Sequence, residues 1–315
     1  MINRLAIRVA DIPLSIISNS VSIENINFAG AYKKFAFNGK KTEINIRAHY
    51  DKPPEISLED KNLVIGMKGI WRLYDTDKKR IFVIEPVSPE RRIAYGIDYV
   101  GCKLKFLSRR PIHIASSSRR IAVFDRSFAD GDVYVDFLAA VSPPMPDPLE
   151  MPLSELLTMA WLSGRQGLLF HGCGVMDKGR GYLFLGFSGH GKSTMADIWR
   201  KKSVVLDDDR IVLRKRKGRF WMFAAPWYGR DVGTAKAVLL DKIFFIRHGL
   251  RNRAYRGSNS NALLLLLNYS YRPLWDKQGI EQNIGLCAQL AYKLPCYILD
   301  FIPDERAVEY VRNLK

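Results

Sequence analysis

Hydrophobic and polar positions follow two different periods along this chain. Up to about residue 140, short β-branched or alternating runs recur at 5–10, 35–37, 44–49, 63–67, 81–84, 103–107, 121–124 and 133–137. Turn residues such as Asn38-Gly39, Asp75 to Asp77 and Asp130-Gly131 separate them. This half reads as a small antiparallel β domain, and it contains no catalytic motif. Beyond residue 152 the period lengthens. Leu153, Leu156, Leu157, Ala160 and Trp161 share helical spacing, with Gly164 as the stop. Buried-strand runs at 168–171, 182–187 and 203–206 follow, with a helix over 192–200 between the last two. A hairpin is predicted from 211–213 and 220–224, then a strand at 243–246, helices at 261–268 and 281–293, a strand at 297–301 and a closing helix at 305–313. Strands alternating with helices predict an α/β core.

Between the halves, five prolines fall between positions 143 and 152. Proline lacks a backbone donor and drives its predecessor towards extended geometry. The segment is therefore expected to be a stiff linker, dividing a β-rich domain (1–142) from an α/β domain (153–315).

Composition adds limits. The chain has 315 residues and a formal net charge of +17, enough length for about two domains. No apolar run approaches the roughly 18–20 residues that span a bilayer, and Arg4, Arg8, Asp11 and Pro13 interrupt any leader-like stretch. Cytoplasm is the expected compartment, with no membrane partner. The four cysteines form no CxxC pair and read as reduced thiols. The charge excess is +5 before residue 150 and +12 after it, which favours anionic partners without naming one.

The chemistry concentrates after residue 180. Gly186-Phe-Ser-Gly-His-Gly-Lys-Ser193 matches G-x-x-x-x-G-K-[ST], the loop whose backbone amides cradle phosphate at a helix N-terminus. Gly186, Ser188, Gly189, His190, Gly191, Lys192, Ser193 and Thr194 are the candidate nucleotide-binding residues. Lys192 is expected on the β/γ-phosphates and Ser193 on Mg²⁺. A strand then ends in Asp207-Asp208-Asp209. Adjacent carboxylates there can divide the work, one holding the metal and one accepting a proton.

Phe170-His171-Gly172, the loop with its Gly181 to Leu185 strand, and Val205-Leu-Asp-Asp-Asp-Arg210 together resemble the HPr kinase/phosphorylase family. That family shares its nucleotide-binding fold with the ATP-dependent phosphoenolpyruvate carboxykinases. The likeness spans about 150–315, includes the Ala225-Pro-Trp-Tyr-Gly229 turn, and is nearest to HPr-kinase-like proteins of peptide biosynthesis. It implies an ATP- and Mg²⁺-dependent kinase acting on a hydroxyl of a peptide, a protein or a small molecule. By position it makes Asp208 the general base and Asp209 a metal or water ligand. It sets His171 near the metal or the transferred phosphate. Asp207 stands where relatives carry a small polar residue, so those roles are free to shift by one. Thr194 replaces the glutamate of true HPr kinases, and the sets used for HPr docking and for oxaloacetate are not recognisable. HPr and decarboxylation are therefore not expected.

Further features have plainer readings. His171 and Cys173 share a strand face but lack a third orienting group. The basic run 214–219 reads as a solvated hairpin turn, or as an electrostatic guide for an anionic acceptor. Arg247, Arg251, Arg253 and Arg256, with Tyr255 among them, form a second basic cluster. Trp221, Trp227 and Tyr228 are packing residues or pocket walls. Leu263 to Leu267 reads as the core face of a helix. A nucleotide-binding scaffold without phosphotransfer and, last, a nucleic-acid-linked ATPase are the competing readings, and a homo-oligomer stays open.

Overall fold

The structure is a computed structural model. It describes residues 3–28, 31–51, 53, 54, 56, 58, 62–76, 78–86, 118–136, 144–227 and 234–314. Among these, one compact unit runs from the N-terminus to Trp161 and a second from Leu162 onwards. The element predicted at 103–107 lies outside the described residues.

The first unit is built on an eight-stranded sheet. Its strands are β1 (Arg4–Val9), β2 (Ile12–Ser18), β4 (Ile44–His49), β5 (Leu63–Met67), β6 (Trp71–Asp75), β7 (Arg80–Ile84), β8 (Arg119–Phe124) and β9 (Asp130–Asp136), in the order β1-β2-β4-β9-β8-β7-β6-β5. A separate pair joins β3 (Ile26–Asn27) to β10 (Met145–Pro146). The sheet is mixed, not antiparallel as expected, because β4 runs parallel to both β2 and β9. Ala10 and Asp11 form the tight β1–β2 turn at φ of 48° and 64°, the left-handed region a two-residue hairpin turn needs. The run at 35–37 is not a strand. Tyr32–Phe35 is a 3-10 turn, and only Ala36 bridges to Ile7. Asp130-Gly131 lies inside β9 instead of in a turn.

The proline-rich segment is no free linker. Tyr50 donates its hydroxyl to the Pro146 carbonyl at 2.8 Å. The Arg120 guanidinium donates to the Asp147 carbonyl at 2.8 Å and to Glu150 at 2.7 Å. Leu149 is fully buried. The following helix α1 (Leu153–Leu162) stays with the same unit up to Trp161, whose indole N–H donates to the Phe128 carbonyl at 2.9 Å. The unit boundary therefore falls at 161/162 and not at the prolines. A buried guanidinium must be paired, and the 147–150 stretch supplies two of its partners beside the Ser118 carbonyl at 2.9 Å.

Among the described residues the second unit carries nine strands: β11 (Gly167–Asp177), β12 (Arg180–Leu185), β13 (Val204–Asp207), β14 (Arg210–Arg216), β15 (Arg219–Ala224), β16 (Val238–His248), β17 (Arg253–Arg256), β18 (Ser270–Tyr271) and β19 (Cys296–Phe301). Its helices are α2 (Lys192–Arg200), α3 (Asn259–Tyr269), α4 (Lys277–Lys293) and α5 (Arg306–Asn313). β12, β16 and β19 run parallel. β13 is antiparallel to β11, itself antiparallel to β12, so all four strands end on one edge. In open sheets that edge is where ligands bind. One apolar cluster fixes it: Phe184, Phe244 and Leu299 of the strands meet Met195 and Trp199 of α2 and Val308 of α5, all buried. Only part of the Leu263 to Leu267 run is core, since Leu266 is buried while Leu264 is 63% exposed.

Candidate functional site

The 186–193 loop leaves the buried end of β12 and enters α2 directly. Gly189 and Gly191 have φ of 86° and 94°, values that a side chain tolerates poorly. At Gly191 space forbids one as well, because a Cβ would lie 2.7 Å from the Phe301 ring. This winding leaves the amides of Gly189, Gly191, Ser193 and Thr194 without hydrogen-bond partners among the described residues. Such a run of unpartnered N–H groups, backed by a helix N-terminus, has the donor chemistry that suits an anion. Lys192 is buried, and its ammonium donates to the carbonyls of Gly186 at 2.8 Å and Phe187 at 3.1 Å. Ser188 and Ser193 are exposed. His190 donates from Nδ1 to the Ile246 carbonyl at 3.1 Å. Burial, followed by the charges of Lys192, His248 and Arg247, holds its pKa below the ordinary imidazole value despite that hydrogen bond.

Three consecutive aspartates take three different environments. Asp207 is fully buried, and one carboxyl oxygen accepts the backbone N–H of Asp209 at 2.7 Å and of Arg210 at 3.1 Å. Its other oxygen is buried without a partner among the described residues, and burial raises the carboxyl well above its ordinary value. Asp207 is thus the turn-former of the triplet and not its solvent-reaching carboxylate. Asp208 is only 4% exposed at its side chain and pairs with Arg200 of α2 at 3.2 Å. Asp209 is the accessible one, at 38%. Its Oδ1 meets Arg210 at 2.7 Å and His171 Nε2 at 3.2 Å, while Oδ2 has no protein partner among the described residues. Burial opposes ionisation of Asp209, but Arg210, His171 and Lys192 outweigh it and hold the carboxyl far below the usual range.

His171 therefore belongs to the aspartate corner, where the Gly172 amide also bonds the Asp209 carbonyl at 3.1 Å. A Cβ on Gly172 would lie 2.7 Å from Leu185, and one on Gly174 2.5 Å from Ile211, so both glycines are close-packing positions. Cys173 is fully buried, and burial reinforced by Asp208 and Asp207 pushes its thiol upward. A nucleophilic pair with His171 has no support.

The turn of the basic run lies away from this corner. Its turn, Lys217-Gly218, closes the β14–β15 hairpin, and β14 carries it about 23 Å from Asp209 at ~3.3 Å per residue. Arg214 instead donates to the Arg165 carbonyl at 3.1 Å. In the second cluster, Arg247 pairs with Asp300 and Arg253 stacks on Tyr255 at 4.3 Å. Trp221 lies under Arg216 at 5.4 Å, while Tyr228 is outside the described residues.

Among the described residues, no three His, Cys, Asp or Glu side chains gather closely enough to hold a metal alone. Magnesium arriving on phosphate asks for less, one or two protein oxygens. The exposed Ser193 hydroxyl and the unengaged Asp209 Oδ2 fit that need. Arg200, Arg210 and His248 were not singled out for the site. Arg210 follows the aspartates directly, and Arg200 lies two helical turns beyond Lys192, so both carried a local signal. Among the described residues no helix is long and apolar enough to cross a membrane. No family model matches the chain, and no curated protein matches it.

Proposed function

We propose that the second unit is an ATP- and Mg²⁺-dependent kinase that transfers the γ-phosphate to a hydroxyl. The observation that carries this reading is the set of unpartnered amides at Gly189, Gly191, Ser193 and Thr194, with Lys192 among them and the Asp209 carboxylate just past the end of β13, which pairs β11 as β12 does. An array of donors with one flexible ammonium suits a polyphosphate.

In this reading the loop amides and Lys192 hold the β- and γ-phosphates. Ser193 and Asp209 Oδ2 hold magnesium, which when bound neutralises phosphate charge. His171 and Arg210 keep Asp209 ionised and oriented. Asp208 takes the acceptor's hydroxyl proton as the new O–P bond forms and the bond to ADP breaks, with Arg200 fixing its carboxylate. Positioning and electrostatics supply most of the acceleration. The acceptor is a serine or threonine of a peptide or protein, or a small hydroxylated molecule.

The test is incubation of the protein with γ-labelled ATP, magnesium and a cell extract, followed by mass spectrometry of the labelled species. Phosphate on a hydroxyl supports the kinase. ATP binding without turnover favours a nucleotide-binding scaffold, and hydrolysis stimulated by RNA or DNA and suppressed by salt favours an ATPase working on nucleic acid.

A further inference from the structure

We propose that His248 is a positioning residue that keeps the phosphate loop in its anion-accepting form. This rests on the reading that the loop holds a nucleotide.

His248 ends β16, opposite Phe301 in β19. Its ring stacks on Phe301 with centroids 5.5 Å apart. Nε2 lies 3.1 Å from the Gly189 carbonyl, and because a carbonyl only accepts, Nε2 carries the proton and donates. The ring also lines the loop from beneath, its Cε1 lying 2.9 Å from where a Gly191 Cβ would stand. The loop is thus tied to β16 in both directions. His190 of the loop donates to the Ile246 carbonyl, and His248 of the strand donates to the Gly189 carbonyl.

The second tie bears on polarity, holding by its oxygen the same peptide whose His190 N–H donates to the Phe187 carbonyl at 3.0 Å. Gly189 is at φ 86°, and glycine crosses between backbone regions at little cost. Rotation of the peptide after Gly189 would turn its carbonyl oxygen towards the loop amides and set a negative dipole against phosphate. A donor fixed on that oxygen from the outside resists the rotation, so that the loop presents N–H groups alone. Preorganisation of this kind appears in affinity for the anion.

The experiment measures Kd for Mg²⁺-ATP by calorimetry on the full chain, with melting temperature alongside, for wild type, His248→Ala and His248→Gln. His248 is exposed, so both variants should fold. His248→Ala is expected to bind about tenfold more weakly, as for loss of about one hydrogen bond, with an unchanged melting temperature. His248→Gln, which restores an N–H donor of similar reach, should return to within about threefold of wild type. Equal affinity of wild type and His248→Ala overturns this inference while leaving the loop reading intact. A loss that Gln does not relieve overturns it too, since packing and not donation would then matter. Wild-type protein that binds neither Mg²⁺-ATP nor inorganic triphosphate overturns the loop reading and this inference together.

Discussion

Asp207 accepts the backbone N–H of Asp209 through a 2.7 Å hydrogen bond. This contact turns the chain so that Asp208 points back to Arg200 while Asp209 reaches His171 and Arg210. Because burial raises the Asp207 carboxyl, its neutral form is the one this site favours. Asp207→Asn is therefore expected to keep the turn and most of the stability. Asp207→Ala strips the acceptor from two amides and should lose about 1–3 kcal/mol. Urea unfolding of both variants decides between them.

Lys192 and Asp208 should separate binding from chemistry. Lys192→Ala is expected to abolish detectable nucleotide binding. Asp208→Asn should retain binding yet lose transfer by about 10²–10⁴-fold, as for a missing general base. Calorimetry and labelled-phosphate transfer read the two effects. Near wild-type transfer in Asp208→Asn would remove the proton-accepting role from this residue.

In the first unit, Asp147 is expected to make stability depend on pH. Burial pushes its carboxyl up to about 6 from an ordinary 3.8. Between those values the native state holds the proton more tightly than the unfolded state, so stability falls as pH rises from about 4 to about 6. Two pH units correspond to about 3 kcal/mol. Asp147→Asn keeps the acceptor for the Leu149 amide and removes the titration. Relative to wild type it should gain about that amount between pH 4 and pH 7, measured by denaturant titration.

Cys173, Cys287 and Cys296 are free and buried, and burial raises all three thiols. Thiol reagents should leave them unlabelled in the native protein and modify them after guanidinium unfolding. Rapid native labelling of Cys173 would contradict its place in the sheet core.

Much of the second unit was legible because its signals are local. The helix predicted at 192–200 is α2 without a shifted end, since left-handed Gly191 starts it sharply. The buried strands also stood at the predicted places, though β11 and β16 run on well past them. Other features depended on contacts distant in sequence. β2 was missed because its hairpin turn is Ala10-Asp11, which carries no glycine. His248 meets Gly189 across 59 residues, and no spacing rule reports such a pair. Within the aspartate triplet, composition could not rank the three carboxylates. Burial and backbone hydrogen bonding do.

The buried Arg120 bears on where this chain can be cut. A shortened protein ending at residue 142 would remove the Asp147 carbonyl and the Glu150 carboxylate, leaving the guanidinium the Ser118 carbonyl but no counter-charge from this stretch. Stranding a buried cation costs about 3–5 kcal/mol, a large share of a typical domain's whole stability. A piece ending after Trp161 keeps both partners, together with the indole bond to Phe128. The prolines that look like a hinge are, mechanically, the strap that closes the first unit.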